Sequence, residues 1–355
     1  MKIHNFSAGP SILPKEVMTK AAEAVIEFEG TGLSILEMSH RSAPFERVME
    51  QAEALVRELL AVPSDYAVLF LHGGASLQFT MLVQNLLPVN GKAAYLNTGV
   101  WSKKAIKEAR LYGEVEVVAS SEDRNFNYIP KAYKIPEDAS YLHFTSNNTI
   151  YGTQFHLFPD PKVPLVVDMS SDIFSKKIEV SQFDLIYAGA QKNMGPAGVS
   201  LVIVKKSSLG RTSRTIPTML QYQTHIDNGS MFNTPPCFPI YVSMLNLQWL
   251  KDFGGIEAIE KRNREKAALL YAEIDSNVHF EGTTEKEDRS VMTPTFVMKD
   301  PSLEAAFLKF ASDRGISGIK GHRSVGGFRA SMYNAMPLES VQVLVQAMRD
   351  FSATL

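Results

Sequence analysis

The sequence predicts an α/β fold built on a mostly parallel sheet, with a second, smaller α/β unit at its C-terminal end. Three observations carry that prediction. Short apolar runs of strand length alternate with stretches of helical periodicity. The runs are almost continuously apolar, as in strands covered on both faces, and do not alternate as half-exposed strands do. Over roughly the last hundred residues the pattern changes to longer helices separated by short strands. The chain has 355 residues, enough for about two domains at roughly 100–200 residues each.

The elements follow in order. Val17, Ala21, Ala24, Val25 and Phe28 recur at helical spacing, with Pro14 before them and Gly30 after, and predict an amphipathic helix over 14–29. Phe45, Val48, Met49, Ala52, Leu55, Val56 and Leu59 form one face of a second helix over 44–60. The period then changes. An apolar strand over 66–71 runs into His72-Gly73-Gly74-Ala75-Ser76 and a helix through Gln84, which reads as strand, glycine turn, helix. Strands are expected over 93–97, 115–119, 141–145, 165–168, 185–188 and 199–204, with a helix over 102–112. Helices over 241–253 and 256–274, a strand over 295–298, a helix over 302–314, a strand over 328–331 and a helix over 338–351 complete the chain. A domain boundary is expected at Gly254-Gly255, giving a large unit of 15–254 and a small unit of 1–14 with 255–355.

Composition removes several classes. Hydrophobic residues are 45% and charged residues 21%, which fits neither a disordered chain nor a coiled-coil rod. Lys and Arg number 36 against 38 Asp and Glu, so a net charge of −2 offers no attraction to nucleic acid or anionic lipid. Cys237 is the only cysteine, which excludes an intrachain disulfide, a four-cysteine zinc site and a CxxC pair, and suits a cytoplasmic protein. The N-terminal residues lack an apolar signal region and no run reaches 18 apolar residues, so neither secretion nor a membrane span is expected.

Ligands of open α/β sheets bind beyond the carboxyl ends of the strands, so polar residues there matter most. Five places qualify. His72-Gly-Gly-Ala-Ser offers glycines and a helix N-terminus to a phosphate, or is simply a tight turn; it matches neither GxxxxGK[ST] nor GxGxxG. Asp168 ends the run Leu165-Val-Val-Asp, where a carboxylate needs a cationic partner or serves as a helix cap. Lys192 follows an apolar strand and precedes Gly195-Pro-Ala-Gly, a place for a reactive amine or for a snorkelling structural lysine. Trp101, between a strand end and a helix, suits stacking on a planar ligand or ordinary core packing. His40-Arg41 and the stretch from Lys320 through His322, Arg323 and Arg329 are basic, either solvated or arranged to hold carboxylate and phosphate. One chemistry uses all five. Pyridoxal phosphate requires a lysine for its imine linkage, an Asp at its ring nitrogen, a phosphate cradle, a stacking ring and arginines for substrate acids.

The motifs Asn5-Phe-Ser-Ala-Gly-Pro, Met38-Ser-His-Arg, His72-Gly-Gly-Ala-Ser-Leu-Gln-Phe, Thr145-Ser-Asn-Asn-Thr-Ile-Tyr-Gly-Thr-Gln, Tyr187-Ala-Gly-Ala-Gln-Lys-Asn-Met-Gly-Pro-Ala-Gly, Phe232-Asn-Thr-Pro-Pro and Gly321-His-Arg-Ser-Val-Gly-Gly-Phe-Arg span essentially the whole chain. With them the chain resembles the phosphoserine-aminotransferase branch of the class-V pyridoxal-phosphate aminotransferases. The resemblance implies the aspartate-aminotransferase-like fold of type I pyridoxal-phosphate enzymes. It implies Lys192 as the cofactor-bearing, proton-moving amine and Asp168 as the partner of the ring nitrogen. It places Ala75, Ser76 and Gln191 at the phosphate, Trp101 on the ring and Thr149 at the ring hydroxyl. Asn233 and Thr234 would reach the phosphate of a neighbouring subunit, which implies a homodimer. Arg329 would take the substrate α-carboxylate, and His40, Arg41, His322 and Arg323 the distal acid. Some members carry a carboxylate where this chain has Asn147 or Asn148.

The activity implied is a ping-pong transfer of the amino group of L-glutamate to 3-phosphohydroxypyruvate, giving O-phospho-L-serine and 2-oxoglutarate in serine biosynthesis. The resemblance also allows the 4-phosphohydroxy-L-threonine step of pyridoxal phosphate synthesis. The competing readings are a cysteine desulfurase using Cys237, a serine–pyruvate or alanine–glyoxylate aminotransferase, and a catalytically silent scaffold.

Overall fold

Seven apolar runs pair into one sheet: β1 (Tyr66–Leu71), β2 (Lys92–Asn97), β3 (Glu114–Ser120), β4 (Ala139–Thr145), β5 (Leu165–Asp168), β6 (Leu185–Gly189) and β7 (Ser200–Lys205). The computed structural model describes residues 2–355. In space the strands lie in the order β1-β7-β6-β5-β4-β2-β3. Every pairing is parallel except those of β7, which runs antiparallel to β6 and to β1. The physical reason is connection length. Only residues 190–199 separate β6 from β7, fewer than the dozen or so that a parallel crossover takes.

All residues of β1, β5 and β6 are buried because successive side chains leave a strand on opposite faces and both faces are covered. Phe70, Phe144, Val167 and Ile203 join Val17, Phe45 and Leu55 in one core; Leu69, Tyr95, Val166 and Tyr187 join Phe79 and Leu82 in the other. The helices α1 (Lys15–Ile26), α2 (Ala43–Leu60), α3 (Gly74–Leu86), α4 (Val100–Ala109), α5 (Tyr222–Asp227) and α6 (Cys237–Asp252) surround this sheet. A third core gathers Phe6, Leu270, Phe280, Phe296, Phe307, Phe328, Leu344 and Phe351. It lies among α7 (Gly255–Ser276), α8 (Glu304–Ser312), α9 (Leu338–Ser352) and a three-stranded antiparallel sheet of Phe280–Gly282, Thr295–Met298 and Phe328–Arg329.

Several boundaries differ from the sequence expectation. The first helix stops at Ile26 and not at Glu29, because Glu27 is extended and Glu29, Gly30 and Gly32 turn through positive φ. The helix expected over 102–112 runs from Val100 to Ala109, since the Ser102 hydroxyl accepts from the backbone N–H groups of Thr98 and Gly99, both at 3.0 Å. That expected from Tyr241 begins at Cys237; Pro239 lies in its first turn, where a missing N–H is no loss. The α5 helix, the strand Phe280–Gly282 and the small hairpin of Asn147–Asn148 with Thr153–Gln154 had no counterpart in the sequence reading.

Candidate active site

The carboxyl ends of β1, β2, β4, β5 and β6 open on one edge of the sheet. After β1 the chain turns through Gly73 and Gly74, at φ 88° and 65°. A Cβ on Gly73 would lie 2.5 Å from that of Leu77, so this turn admits glycine alone. No side chain caps α3. The N–H groups of Gly74, Ala75 and Ser76 therefore face outward without intrahelical partners, at the positive end of the helix dipole.

Asp168 ends β5 and is only 5% exposed. It lies opposite Thr145 of β4 and Tyr187 of β6, and its Oδ1 accepts the Ser170 N–H at 2.9 Å. Burial pushes its carboxyl above the usual range, while hydrogen bonds from Ser170 and the positive charge of Lys192 act against that. Lys192, three residues beyond β6, is displaced the other way. Burial holds its ammonium below the ordinary lysine range, Asp168 opposes the effect and Arg329 adds to it. The Lys192 Nζ sits 5.6 Å from the centre of the Trp101 ring.

The N-terminal segment fixes the lysine from outside the sheet. Ser11 donates its backbone N–H to Gln191 O at 3.0 Å and its hydroxyl to Lys192 O at 2.6 Å. A Cβ on Gly9 would stand 3.5 Å from Lys192 Cγ. The motif Phe-Ser-Ala-Gly-Pro thus lies against the lysine loop, 180 residues away in sequence.

Trp101, in the first turn of α4, donates its indole N–H to Thr149 Oγ1 at 3.1 Å. Since that oxygen accepts, the Thr149 hydroxyl hydrogen is free for a ligand. The Thr149 carbonyl in turn accepts from Arg329 Nη1 at 3.1 Å, while Arg329 Nε is buried without a partner among the described residues. A buried guanidinium N–H left unpaired is costly, so this one is poised for an anion. His322 holds Ser324 Oγ through Nδ1 at 2.7 Å. Burial and then the charges of Arg329, Arg323 and Lys104 push His322 below the ordinary histidine range.

Sequence reasoning missed Lys104, whose Nζ lies 4.8 Å from the Trp101 ring centre; the signal was its i,i+3 spacing from Trp101 on a helix. It also missed a buried polar seam. Asn193 Oδ1 accepts the Asn334 N–H at 2.9 Å, Asn263 donates to Asn334 Oδ1 at 2.8 Å, and Asn334 donates to Phe174 O at 2.9 Å. Lys266, fully buried, donates to the carbonyls of Met332 and Tyr333 at 2.9 and 2.8 Å. The seam ties the chain just beyond Arg329 to the residue after Lys192.

Lys192, Asp168, Trp101, Thr149 and Arg329 are thereby brought together, with Gln191 beside them. Among the described residues no hydrogen bond, ion pair or ring contact joins His40, Arg41, Asn233 or Thr234 to this group. His40 Nε2 is buried without a partner among the described residues, Arg41 is exposed, and Asn233 donates to Thr234 O, which also meets His72 Nε2 at 3.0 Å. Asn148 accepts from Thr98 and donates to Thr153, so an amide satisfies both neighbours at that position. Cys237 donates to Pro235 O and burial pushes its thiol up, the reverse of an activated nucleophile. Among the described residues no cluster of His, Cys, Asp and Glu could hold a metal, and no helix is long and apolar enough to cross a membrane.

The family model for class-V aminotransferases matches residues 3–344. The chain is 60% identical over 354 residues to the phosphoserine aminotransferase of Phocaeicola vulgatus, covering 99% of each chain. Its structure superposes on that of phosphoserine aminotransferase from Bacillus circulans subsp. alkalophilus with a TM-score of 0.97, at 46% identity and 99% coverage of both. A pyridoxal-phosphate-bound phosphoserine aminotransferase from Trichomonas vaginalis gives a TM-score of 0.94 at 38% identity, covering 98% of this chain and 100% of that one.

Proposed function

The chain belongs to the class-V aminotransferase family, and on that premise we propose that it is a phosphoserine aminotransferase, moving the amino group of L-glutamate to 3-phosphohydroxypyruvate to give O-phospho-L-serine and 2-oxoglutarate. One observation carries the reading: a buried carboxylate at a strand end, an amine held below its ordinary range beside a flat indole, and a buried arginine with an unpaired N–H converge on one edge of the sheet.

The donor set fits pyridoxal phosphate. Asp168 can hold a proton on the ring nitrogen, Trp101 can cover the ring, Thr149 can donate to its hydroxyl oxygen, and the N–H groups of Ala75 and Ser76 with Gln191 can hold its phosphate. When bound, the cofactor supplies an imine linkage to the amine and an electron sink for the carbon that loses its proton. The residues do the rest. Lys192 Nζ moves the substrate Cα proton, a task that needs a neutral amine, and burial beside Arg329 favours that form. Arg329 orients the α-carboxylate, with Thr149 O fixing its guanidinium. His322 and Arg323, joined by His40 and Arg41, bind the distal acid, which is a carboxylate in one half-reaction and a phosphate in the other. A cluster of separate cations accommodates both where one rigid ion pair could not.

We extend the reading to a cytoplasmic homodimer in which Asn233 and Thr234 complete the phosphate site of the neighbouring subunit. That no hydrogen bond joins them to Lys192 among the described residues, and the 42% exposure of Phe232 beside them, support it. It also includes a large unit of 15–254 and a small unit of 1–14 with 255–355, supported by Phe6 packing with residues beyond 267. The 4-phosphohydroxy-L-threonine reaction is proposed as a second use of the same pocket.

The test is amino transfer from glutamate to phosphohydroxypyruvate by wild type and Arg323→Ala, with a selective loss for the phosphorylated substrate expected. Equal use of phosphoserine and alanine as donors would overturn the phosphate reading in favour of an alanine–glyoxylate type of enzyme. A visible absorption band on addition of pyridoxal phosphate, absent in Lys192→Ala, is expected of the amine's role.

A further inference from the structure

The core beneath the site contains one imidazole that packing alone does not require. His143 lies in the middle of β4 and is wholly buried. Its ring is stacked between Tyr95, at 4.8 Å and 29°, and Tyr187, at 5.9 Å and 27°. Nε2 is 2.9 Å from the Tyr187 hydroxyl, while Nδ1 is buried with no partner among the described residues. Burial pushes the ring down to about 3, so it is neutral, and one nitrogen carries the hydrogen while the other keeps a lone pair.

The two tautomers are not equivalent here. With the hydrogen on Nδ1, an N–H is buried without an acceptor and the Tyr187 O–H is spent on Nε2. With the hydrogen on Nε2, only a lone pair goes unsatisfied, the less costly defect. Nε2–H then donates to Tyr187, whose own O–H needs an acceptor. That acceptor is at hand. Tyr187 and Asp168 are register partners on adjacent parallel strands, so their side chains leave the same face of the sheet, and after burial the Asp168 charge also holds the Tyr187 hydroxyl above its ordinary range. The Tyr187 ring cannot swing away, since Phe79 meets its edge at 6.2 Å and His143 its face.

We propose that His143 and Tyr187 form a buried relay, Nε2–H to hydroxyl to carboxylate, that positions Asp168 and holds it ionised from the core side. The inference rests on the proposed function for its purpose, because an ionised Asp168 is what keeps a proton on the cofactor nitrogen. Its geometry stands without it. Ser170 supplies one hydrogen bond to the carboxylate, and in the proposed relay the Tyr187 hydroxyl adds a second, against a burial that favours the neutral acid. Both are positioning residues.

The first test needs no cofactor: two-bond proton–nitrogen correlation in 15N-labelled cofactor-free protein should find His143 as the Nε2–H tautomer, and the Nδ1–H tautomer overturns the relay. The second is titration with pyridoxal phosphate followed by quenching of Trp101. Tyr187→Phe keeps the ring and removes the hydroxyl, and should bind about ten- to a hundredfold more weakly, the range for a hydrogen bond to a charged group. His143→Gln keeps an N–H donor and should stay near wild type, whereas His143→Leu should match Tyr187→Phe. Equal affinity of wild type and Tyr187→Phe overturns the proposal. Absence of Lys192-dependent binding in wild type would instead remove the proposed function, and the tautomer would still decide the relay.

Discussion

Acidification should destabilise the wild-type chain more steeply than a His143→Gln variant, and the difference can be worked out from one residue. In the fold His143 titrates at about 3 instead of 6.5, because charging it would place an imidazolium in the core between two tyrosine rings. The unfolded chain takes up that proton below about 6.5 and the folded chain does not until about 3. Between those values the unfolded state binds one more proton, so stability is complete above 6.5, falls as the pH falls, and levels off near 3. At ~1.4 kcal/mol per pH unit, the full span is worth about 5 kcal/mol, and the fall from pH 6.5 to 4.5 about 3 kcal/mol. Urea unfolding of both proteins at pH 7.5, 6.5, 5.5 and 4.5 measures it. Loss of stacking gives the variant a constant offset, and the carboxylates titrate alike in both, so the quantity to read is the change in the gap. Parallel stability curves between pH 7.5 and 4.5 would refute the reasoning.

Lys266 is also held well below its ordinary range by burial, so the unfolded chain binds a proton that the folded chain lacks. The stability of wild type relative to Lys266→Met should therefore climb as the pH rises from 7 to 10; a gap that stays level or shrinks counts against it. Asn334→Ala removes the bonds to Asn263 and Phe174 and leaves buried groups unpaired, an expected loss of about 2–4 kcal/mol in chemical denaturation. Thr149→Val deprives the Trp101 indole of its acceptor and Arg329 of nothing, since Arg329 uses the backbone carbonyl. It should weaken cofactor binding while leaving the KM for glutamate within about threefold; a larger rise in that KM would show that the hydroxyl serves the substrate. In Trp101→Phe the quenching of tryptophan emission by pyridoxal phosphate should vanish, since the remaining Trp249 is stacked on Phe253.

Much of this arrangement was legible in the residues. The near-continuous apolar runs located every strand of the large sheet, and Gly73-Gly74 marked the turn into α3, because both signals are local. Asp168 and Lys192 stood out because charged groups at the ends of buried strands need a chemical reason. Other features depend on partners far away in sequence. The insertion of β7 between β1 and β6 follows from a short connection, and no periodicity in Val199 to Val204 reports on strand direction. Asn193, Asn263 and Asn334 look like ordinary polar residues in sequence, and only the fold brings their amides together across 141 positions. Lys266 reads as the exposed face of a charged helix, yet two carbonyls from the Arg329 segment draw it inside. That no hydrogen bond or ion pair joins His40 or Arg41 to Lys192 among the described residues could not be read from the motif that carries them.

The helix α7 extends 22 residues, about 33 Å. Ile259 belongs to the core of the large sheet, whereas Ala267, Leu270 and Ile274 belong to the third core. Its start is a pair of glycines at φ 110° and 74°. Asn263 and Lys266, on the same helix, grip the segment that carries Arg329. The helix therefore runs without a break from Gly255, beside the large-sheet core, to the residues that hold the arginine's segment. Lys266 stands about 17 Å along it from Gly254-Gly255, so a change of about 5° in the direction of the helix there would carry it about 1.5 Å. A displacement of about 1 Å at reacting groups can cost about a hundredfold in rate. A side chain at Gly254, where φ is 110° and a Cβ would stand 2.9 Å from that of Ala258, would therefore be felt along the helix at the segment that carries Arg329.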